Sequence, residues 1–242
     1  MSRVVVVTGG AKGIGLAIVE RFTTLGDEVI ALGRDHEALA QLSVRVAVCD
    51  VSDEYQVAAA FDDIGRVDVL VNNAGVAESA PVHGTSTESW RRHLDVNATG
   101  AFLCLRAVEA GMRKRGAGVV VNVASTAGRV GSPYTIAYTA SKHALVGLTR
   151  AAAAELGASG VRVNAVCPGF VRGELTDRSV ARIVETTGRS AAEAEAALVR
   201  SGGLGRLLEP EEVAEAVLWL ASDGAAAING QAIVIDGGGI QA

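Results

Sequence analysis

Seven short apolar, β-branched runs punctuate this chain, and longer helix-like stretches separate them. The runs are Arg3–Thr8, Glu28–Leu32, Arg45–Val48, Val67–Val71, Gly118–Val123, Val161–Val166 and Ala232–Ile235. They lack the in–out alternation of a half-buried strand; VVVV and GVVV are apolar at successive positions. Strands of that kind are covered on both faces, which calls for a parallel sheet with helical crossovers on either side. The helix candidates Gly13–Leu25, Asp53–Ile64, Thr87–Arg115, Tyr138–Leu156 and Glu211–Ala221 supply those crossovers. The expected fold is therefore α/β, a doubly wound parallel sheet in three α/β/α layers. No repeat, low-complexity tract or long linker divides the 242 residues, so one domain over 1–242 is expected.

The stretch Arg172–Leu208 stands apart. It is charged, carries Glu193 and Glu195 among alanines, and ends in SGGLGR. It reads as one or two surface helices inserted before the last crossover. Such an insertion is either a mere covering or, because it follows a strand end, a substrate lid over 172–208.

Composition excludes several functions. Aromatic residues make up 4% of the chain, too few for base-stacking platforms, and the net charge of −5 offers nothing to a polyanion. No nucleic-acid partner is expected. No run reaches the ~18 apolar residues of a membrane span, and MSRVVVVTGG has no leader-like charged region; a cytoplasmic location away from membranes is expected. Cys49, Cys104 and Cys167 have no metal-ligand spacing, lie in apolar segments, and read as buried reduced thiols. No metal site is expected.

The polar residues fall at one edge. After successive strands come Thr8-Gly9-Gly10, Gly33-Arg34, Asp50-Val51, Asn72-Asn73-Ala74-Gly75, Ser125, and Pro168-Gly169. The carboxyl edge of an open parallel sheet is where ligands bind, near the point at which strand order reverses. The loop TGGAKGIG, with Gly9, Lys12, Gly13, Ile14 and Gly15, joins a buried strand to a long helix. Its glycines allow close backbone approach to a pyrophosphate, and the helix N-terminus offers N–H groups and a positive dipole. At the end of the second strand an acid would bond a ribose hydroxyl, whereas an arginine accommodates a 2′-phosphate. Gly33 stands at the acid's place and Arg34 follows, with Lys12 nearby. NADP is favoured and NAD stays open, because Arg34 also reads as a solvated residue paired with Asp35. Asp50 and Val51 would flank the adenine, and Asn73 and Gly75 would brace the sheet edge beneath the cofactor.

The chemistry would come from Ser125, Tyr138 and Lys142, thirteen and four residues apart. Tyrosine and lysine at i and i+4 share a helix face. There the ammonium is expected to stabilise a phenolate and lower a tyrosine pKa that is ordinarily about 10. The Ser125 hydroxyl can hold a carbonyl or alcohol oxygen against that phenol, so Ser125 and Tyr138 would bind substrate. Asn97, a poor helix former inside Thr87–Arg115, would kink that helix and hold a relay water.

TGGAKGIG, NNAG, DVNATG, Ser125 with YTASK, and VCPGFV, in this order and across essentially the whole chain, resemble the short-chain dehydrogenase/reductase family. The resemblance implies a Rossmann-like sheet of about seven parallel strands and NAD(P)-dependent hydride transfer. It implies a catalytic set of Asn97, Ser125, Tyr138 and Lys142, with tyrosine as acid for reduction and base for oxidation. The lysine would hold the nicotinamide ribose, and Pro168, Gly169 and Val171 would border the nicotinamide. Homotetramers or homodimers are implied, with an interface on the helix carrying Tyr138, whose outer face includes Ala151–Ala154. Tyr134 lacks a lysine at i+4 and is expected to line the pocket. One departure is Gly173, where the family usually has a cofactor-contacting threonine.

Within the family the chain most resembles 3-oxoacyl thioester reductases and 3-hydroxyacyl dehydrogenases. Three readings follow: an NADPH-dependent 3-oxoacyl reductase, an NAD-dependent secondary-alcohol or hydroxy-acid dehydrogenase, and a dinucleotide sensor without turnover. Arg129, Arg172, Arg178 and Arg182 lie near the expected pocket mouth, either as a docking patch for an acidic acyl carrier or as solvated helix charges.

Overall fold

A computed structural model describes residues 2–200 and 202–241. Its strands are β1 (Val4–Thr8), β2 (Glu28–Gly33), β3 (Arg45–Val48), β4 (Val69–Asn72), β5 (Gly118–Val123), β6 (Val161–Pro168) and β7 (Ala232–Ile235). All pair in parallel, in the order β3-β2-β1-β4-β5-β6-β7. The order reverses between β1 and β4. From β1 the chain builds outward through β2 and β3, and from β4 it builds the other way, so the loops after β1 and β4 diverge and leave a crevice.

The helices are α1 (Gly13–Thr24), α2 (His36–Leu39), α3 (Glu54–Ile64), α4 (Thr87–Leu94), α5 (Gly100–Arg115), α6 (Ile136–Leu156), α7 (Glu174–Thr187), α8 (Ala191–Arg200) and α9 (Pro210–Leu220). Successive apolar strand residues serve opposite faces. Val6, Leu70 and Val120 pack with Phe61, Leu103 and Met112 on the side of α3 and α5. Val5, Val7, Val71 and Val121 pack with Phe22, Val213 and Val217 on the side of α1 and α9. Each such fully buried side chain contributes about 1.5–3 kcal/mol, which is why continuous valine runs, costly on a half-exposed sheet, suit these strands. The short α2 was not anticipated; Asp35 caps it by accepting the Ala38 N–H at 3.0 Å.

A polar chain ties the centre of the sheet to α6. Asn72 on β4 donates to Asn122 on β5 at 2.9 Å, and Asn122 donates to Thr149 at 2.9 Å. All three are buried. In a low-dielectric core such bonds fix register, because an unmatched polar group there costs about 1–3 kcal/mol. They set α6 in register with the strand ends.

The expected helix Thr87–Arg115 is not continuous. A π turn over Asp95–Thr99 separates α4 from α5, with the Gly100 N–H bonded to Asp95 O. The extra residue in that turn swings Asn97 inward, where it is 1% exposed. Gly100 then lies hard against the end of β3: a Cβ there would come 2.8 Å from Val51 Cγ2.

The excursion after β6 contains two helices, α7 and α8, which pack on each other. Its base is closed by a short parallel bridge between Val171 and Leu208, with Arg172 N–H donating to Leu208 O at 2.8 Å and Leu208 N–H to Phe170 O at 2.9 Å. Beyond that clasp α7 buries only Thr176 and α8 only Ala194. Gly173 has φ +138° and ψ −177°, a conformation that is essentially glycine's alone. A threonine there would be strained by the backbone conformation.

Candidate active site

The crevice is built by direct bonds across the switch point. Thr8 Oγ1 accepts the N–H groups of Asn73 and Ala74, each at 3.0 Å, and Asn73 Nδ2 donates to Thr8 O at 3.0 Å and Gly9 O at 3.1 Å. Asn73 thus ties the loop after β4 to the glycine loop. At its third residue the helix following the glycine loop has no room for a side chain: a Cβ on Gly15 would overlap Gly9 O and lie 2.6 Å from Asn73 Nδ2. Gly9 and Gly13 take φ values of +64° and +52°, open to glycine without strain.

The basic groups at the β2 end pair differently from expectation. Lys12, not Arg34, holds Asp35, at 2.6 Å, and Arg34 reaches Asp50 Oδ2 at 3.3 Å. Ser52 donates its N–H and hydroxyl to the other Asp50 oxygen. Arg34 and Lys12 both remain exposed at this edge. Val51 is buried beside Gly100.

Ser125, Tyr138 and Lys142 converge at the ends of β5 and β6. Ser125 Oγ accepts the Ala127 N–H at 3.1 Å and hydrogen-bonds the Tyr138 phenol. Lys142 Nζ donates to Val123 O at 2.9 Å and lies 5.7 Å from the centroid of the Tyr138 ring. The expected lowering of the phenol by the ammonium is not what this geometry produces. Burial pushes the Tyr138 phenol above its ordinary value, against the Ser125 bond. Burial likewise pushes the Lys142 ammonium down to about 8. Both groups lose water, and each moves toward its neutral form.

Asn97 joins the site through the loop opposite. Its Oδ1 accepts the Val76 N–H at 2.8 Å, while its Nδ2 donates to Val76 O and Ser141 Oγ, each at 2.9 Å. The side chain is committed to these partners. Gly75 keeps the approach open; a Cβ there would sit 3.2 Å from Asn97 Oδ1 and 3.6 Å from Lys142 Nζ. Pro168, Gly169 and Val171 continue the edge past β6, with the Gly169 N–H donating to Ile235 O at 2.9 Å.

Two participants escaped sequence reasoning, Thr8 and Ser141. Thr8 hid in plain view before the glycines, and Ser141 inside YTASK, because nothing in spacing says which hydroxyl turns toward the loop after β4. Tyr134 is 68% exposed at φ +63°, and with Ala80, Val82, Pro133 and Ile136 it lines an apolar groove of about 600 Å³ whose wall includes neither Ser125 nor Tyr138. Arg172, Arg178 and Arg182 are held by Glu209, Glu174 and Glu185, and Arg129 donates to Ala232 O at 2.8 Å. Burial raises all three thiols, Cys49 to about 11. Among the described residues no metal-holding cluster of His, Cys, Asp or Glu occurs, and no helix is long and apolar enough to cross a membrane.

The residues present fit a nicotinamide dinucleotide. Helix α1 starts with no capping side chain and no acid in its first turn, leaving N–H groups for a diphosphate. Glycines keep that approach clear, and cations stand where a ribose would end. A Rossmann-like α/β/α sheet with a tyrosine, a serine and a lysine at its carboxyl edge defines a dinucleotide-dependent oxidoreductase. The family model described as enoyl-(acyl carrier protein) reductase matches residues 9–239. A putative ketoacyl reductase of granaticin polyketide synthesis from Streptomyces violaceoruber is 39% identical, over 97% of this chain and 92% of that protein. D-Threitol dehydrogenase from Mycolicibacterium smegmatis is also 39% identical, over 98% and 92%. The crystal structure of a single-residue variant of the actinorhodin polyketide ketoreductase with NADPH superposes with a TM-score of 0.93 at 36% identity, over 98% and 97% of the two chains. The chain belongs to the short-chain dehydrogenase/reductase family and is an NAD(P)-dependent oxidoreductase of the ketone–alcohol couple.

The lysine's burial has a measurable consequence. Its folded pKa of about 8 lies below the ordinary 10.5, so the charged form is penalised at every pH below about 8 and the penalty vanishes as pH rises to 10.5. Lys142→Met is therefore expected to gain up to about 3 kcal/mol over the parent at pH 7. That gain should disappear by pH 10.5. Urea denaturation at both pH values reads it, and an unchanged difference would mean that the ammonium keeps its solvation.

Proposed function

We propose that the chain reduces the ketone of a 3-oxoacyl thioester to the secondary alcohol with NADPH, using Tyr138 as general acid. The observation that carries this reading is the half-buried Tyr138 phenol, bonded to the Ser125 hydroxyl at the open end of the sheet with Lys142 beside its ring. A bound nicotinamide would supply the hydride to the carbonyl carbon. The phenol gives its proton to the carbonyl oxygen, and Ser125 holds that oxygen in line. Lys142, between Val123 O and the ring, holds the nicotinamide ribose and keeps positive charge beside the phenolate that remains. Asn97 fixes the wall formed by Gly75 and Val76. Gly9, Lys12, Gly13, Ile14 and Gly15 hold the diphosphate, Asp50 and Val51 the adenine, and Val171 the carboxamide. The α7–α8 hairpin within 172–208, with only Thr176 and Ala194 of its helices buried, closes over the cleft as a lid.

The similarity to a ketoacyl reductase supports the thioester; an equal similarity to D-threitol dehydrogenase supports a second reading, oxidation of a secondary alcohol or hydroxy acid with NAD. A screen of acetoacetyl thioesters against simple ketones, polyols and hydroxy acids separates them. A dinucleotide sensor is disfavoured because Tyr138 and Lys142 are both present and brought together. In Tyr138→Phe, turnover should fall by about 10²-fold or more while dinucleotide binding persists. Full activity in that variant would remove the phenol from the mechanism.

NADPH is favoured because Arg34 and Lys12 lie exposed where a 2′-phosphate would sit, and both are spent only on surface carboxylates. Arg34→Ala should weaken NADPH by about tenfold and leave NADH nearly unchanged, as followed by nicotinamide fluorescence. Equal loss for both would defeat the proposal.

Copies of the chain pair through the outer face of α6. Of the alanines expected there, Ala152 and Ala153 are buried against the sheet, and only Ala151 and Ala154 face outward, with Gly147 in line. Light scattering should give a twofold or fourfold multiple of 24.7 kDa, and Ala151→Arg should reduce it. A monomer in both samples would rule the interface out.

A further inference from the structure

His93 is the most deeply buried charged-type side chain near the phenol, at 0% exposure, and none of the chemistry above uses it. It sits in the last turn of α4, four residues before Asn97. Both of its ring nitrogens are assigned by their partners. Nδ1 lies 2.7 Å from Ser89 O, which can only accept, so Nδ1 carries the proton. Nε2 is then a bare acceptor, and it takes the Glu78 N–H at 3.0 Å. The ring stands edge-on to Tyr138, with centroids 6.4 Å apart and planes at 75°.

These contacts form a ladder with two rungs. On one rung His93 packs on the Tyr138 ring and pins Glu78; on the other Asn97 bonds Ser141 and pins Val76. Tyr138 and Ser141 belong to the same turn of α6, and Val76 and Glu78 alternate along the loop after β4. The carboxylate of Glu78 is held as well, by Ser89 Oγ at 3.0 Å and Arg92 at 2.7 Å. One turn of α4 thereby secures the loop that walls the cleft and also the face of the reacting phenol.

We infer that His93, as a neutral Nδ1–H imidazole, is a positioning residue for Tyr138: it fixes the phenol ring and the Val76–Glu78 wall as one rigid unit. The inference rests on Tyr138 being the proton donor. Rotation of a phenol by even a fraction of an ångström at its oxygen lengthens the proton's path, and geometric errors of about 1 Å cost about 10²-fold in rate.

Two variants test this. His93→Ala removes ring and bonds; His93→Phe keeps an edge against Tyr138 but leaves the Glu78 N–H without its acceptor. Phenol ionisation at 295 nm, taken as the difference from Tyr138→Phe, isolates Tyr138 from Tyr55 and Tyr134 without any substrate. In His93→Ala its midpoint should fall toward that of an exposed tyrosine, about 10, and kcat with acetoacetyl-CoA and NADPH should drop by about tenfold or more. In His93→Phe the midpoint should stay near the parent's, while amide exchange of the loop spanning Glu78, followed by mass spectrometry, should quicken. A folded His93→Ala with parental midpoint, exchange and kcat overturns the inference, and Tyr138→Phe inactive in the same assay leaves the mechanism standing. If His93→Ala fails to fold, parental loop exchange in His93→Phe overturns it instead. Full activity in Tyr138→Phe overturns mechanism and inference together.

Discussion

The contact between the ends of β1 and β4 is the constraint on which the rest depends. Two strands that feed crossovers in opposite directions must leave a gap between their loops, and here Thr8 and Asn73 span it with four hydrogen bonds. The span brings the backbone of Gly9 so near the start of α1 that Gly15 has no space for a β-carbon. With α1 seated there, its uncapped N-terminus faces the crevice, and the ends of β2 and β3 bring Arg34 and Asp50 to the same rim. Remove that contact and the glycine loop, the helix dipole and the cations lose their common focus.

The other half of the site depends on water exclusion. Tyr138 and Lys142 were expected to interact as phenolate and ammonium, as a pair on an open helix face would. In the folded chain they sit against β5 and β6, where desolvation moves both toward neutrality. A phenol that keeps its proton at neutral pH is an acid in waiting, and a lysine near 8 tips between states with small changes in its surroundings. The polar chain from Asn72 through Asn122 to Thr149 holds α6 at the height that makes this burial possible.

Much of this was legible in the residue string. Continuous valine runs demand burial on both faces, so strand positions and the parallel sheet could be read directly; β3, β5 and β7 begin and end at the expected residues. Glycines that tolerate positive φ, and polar residues gathered after strands, marked the ligand edge. Less legible were features set by what lies across the fold. The kink expected at Asn97 is there, but its form, a π turn over Asp95–Thr99, goes with bonds to Val76 and Ser141, partners 21 and 44 residues away in sequence. The pairing of Lys12 with Asp35 and of Arg34 with Asp50 reversed the local guess, since the nearest charge in sequence is not the nearest in space.

By itself, then, the sequence determined the layer architecture and pointed to a candidate ligand edge with Ser125, Tyr138 and Lys142 gathered at it, because periodicity, glycine freedom and i,i+4 spacing are local properties. Tertiary structure alone decided the protonation tendencies of those groups, the commitment of Asn97 to the loop after β4, the place of His93 against Tyr138, and which of the α6 alanines face outward. Those depend on desolvation and on long-range hydrogen bonding, which no stretch of sequence encodes apart from the fold that brings its partners near.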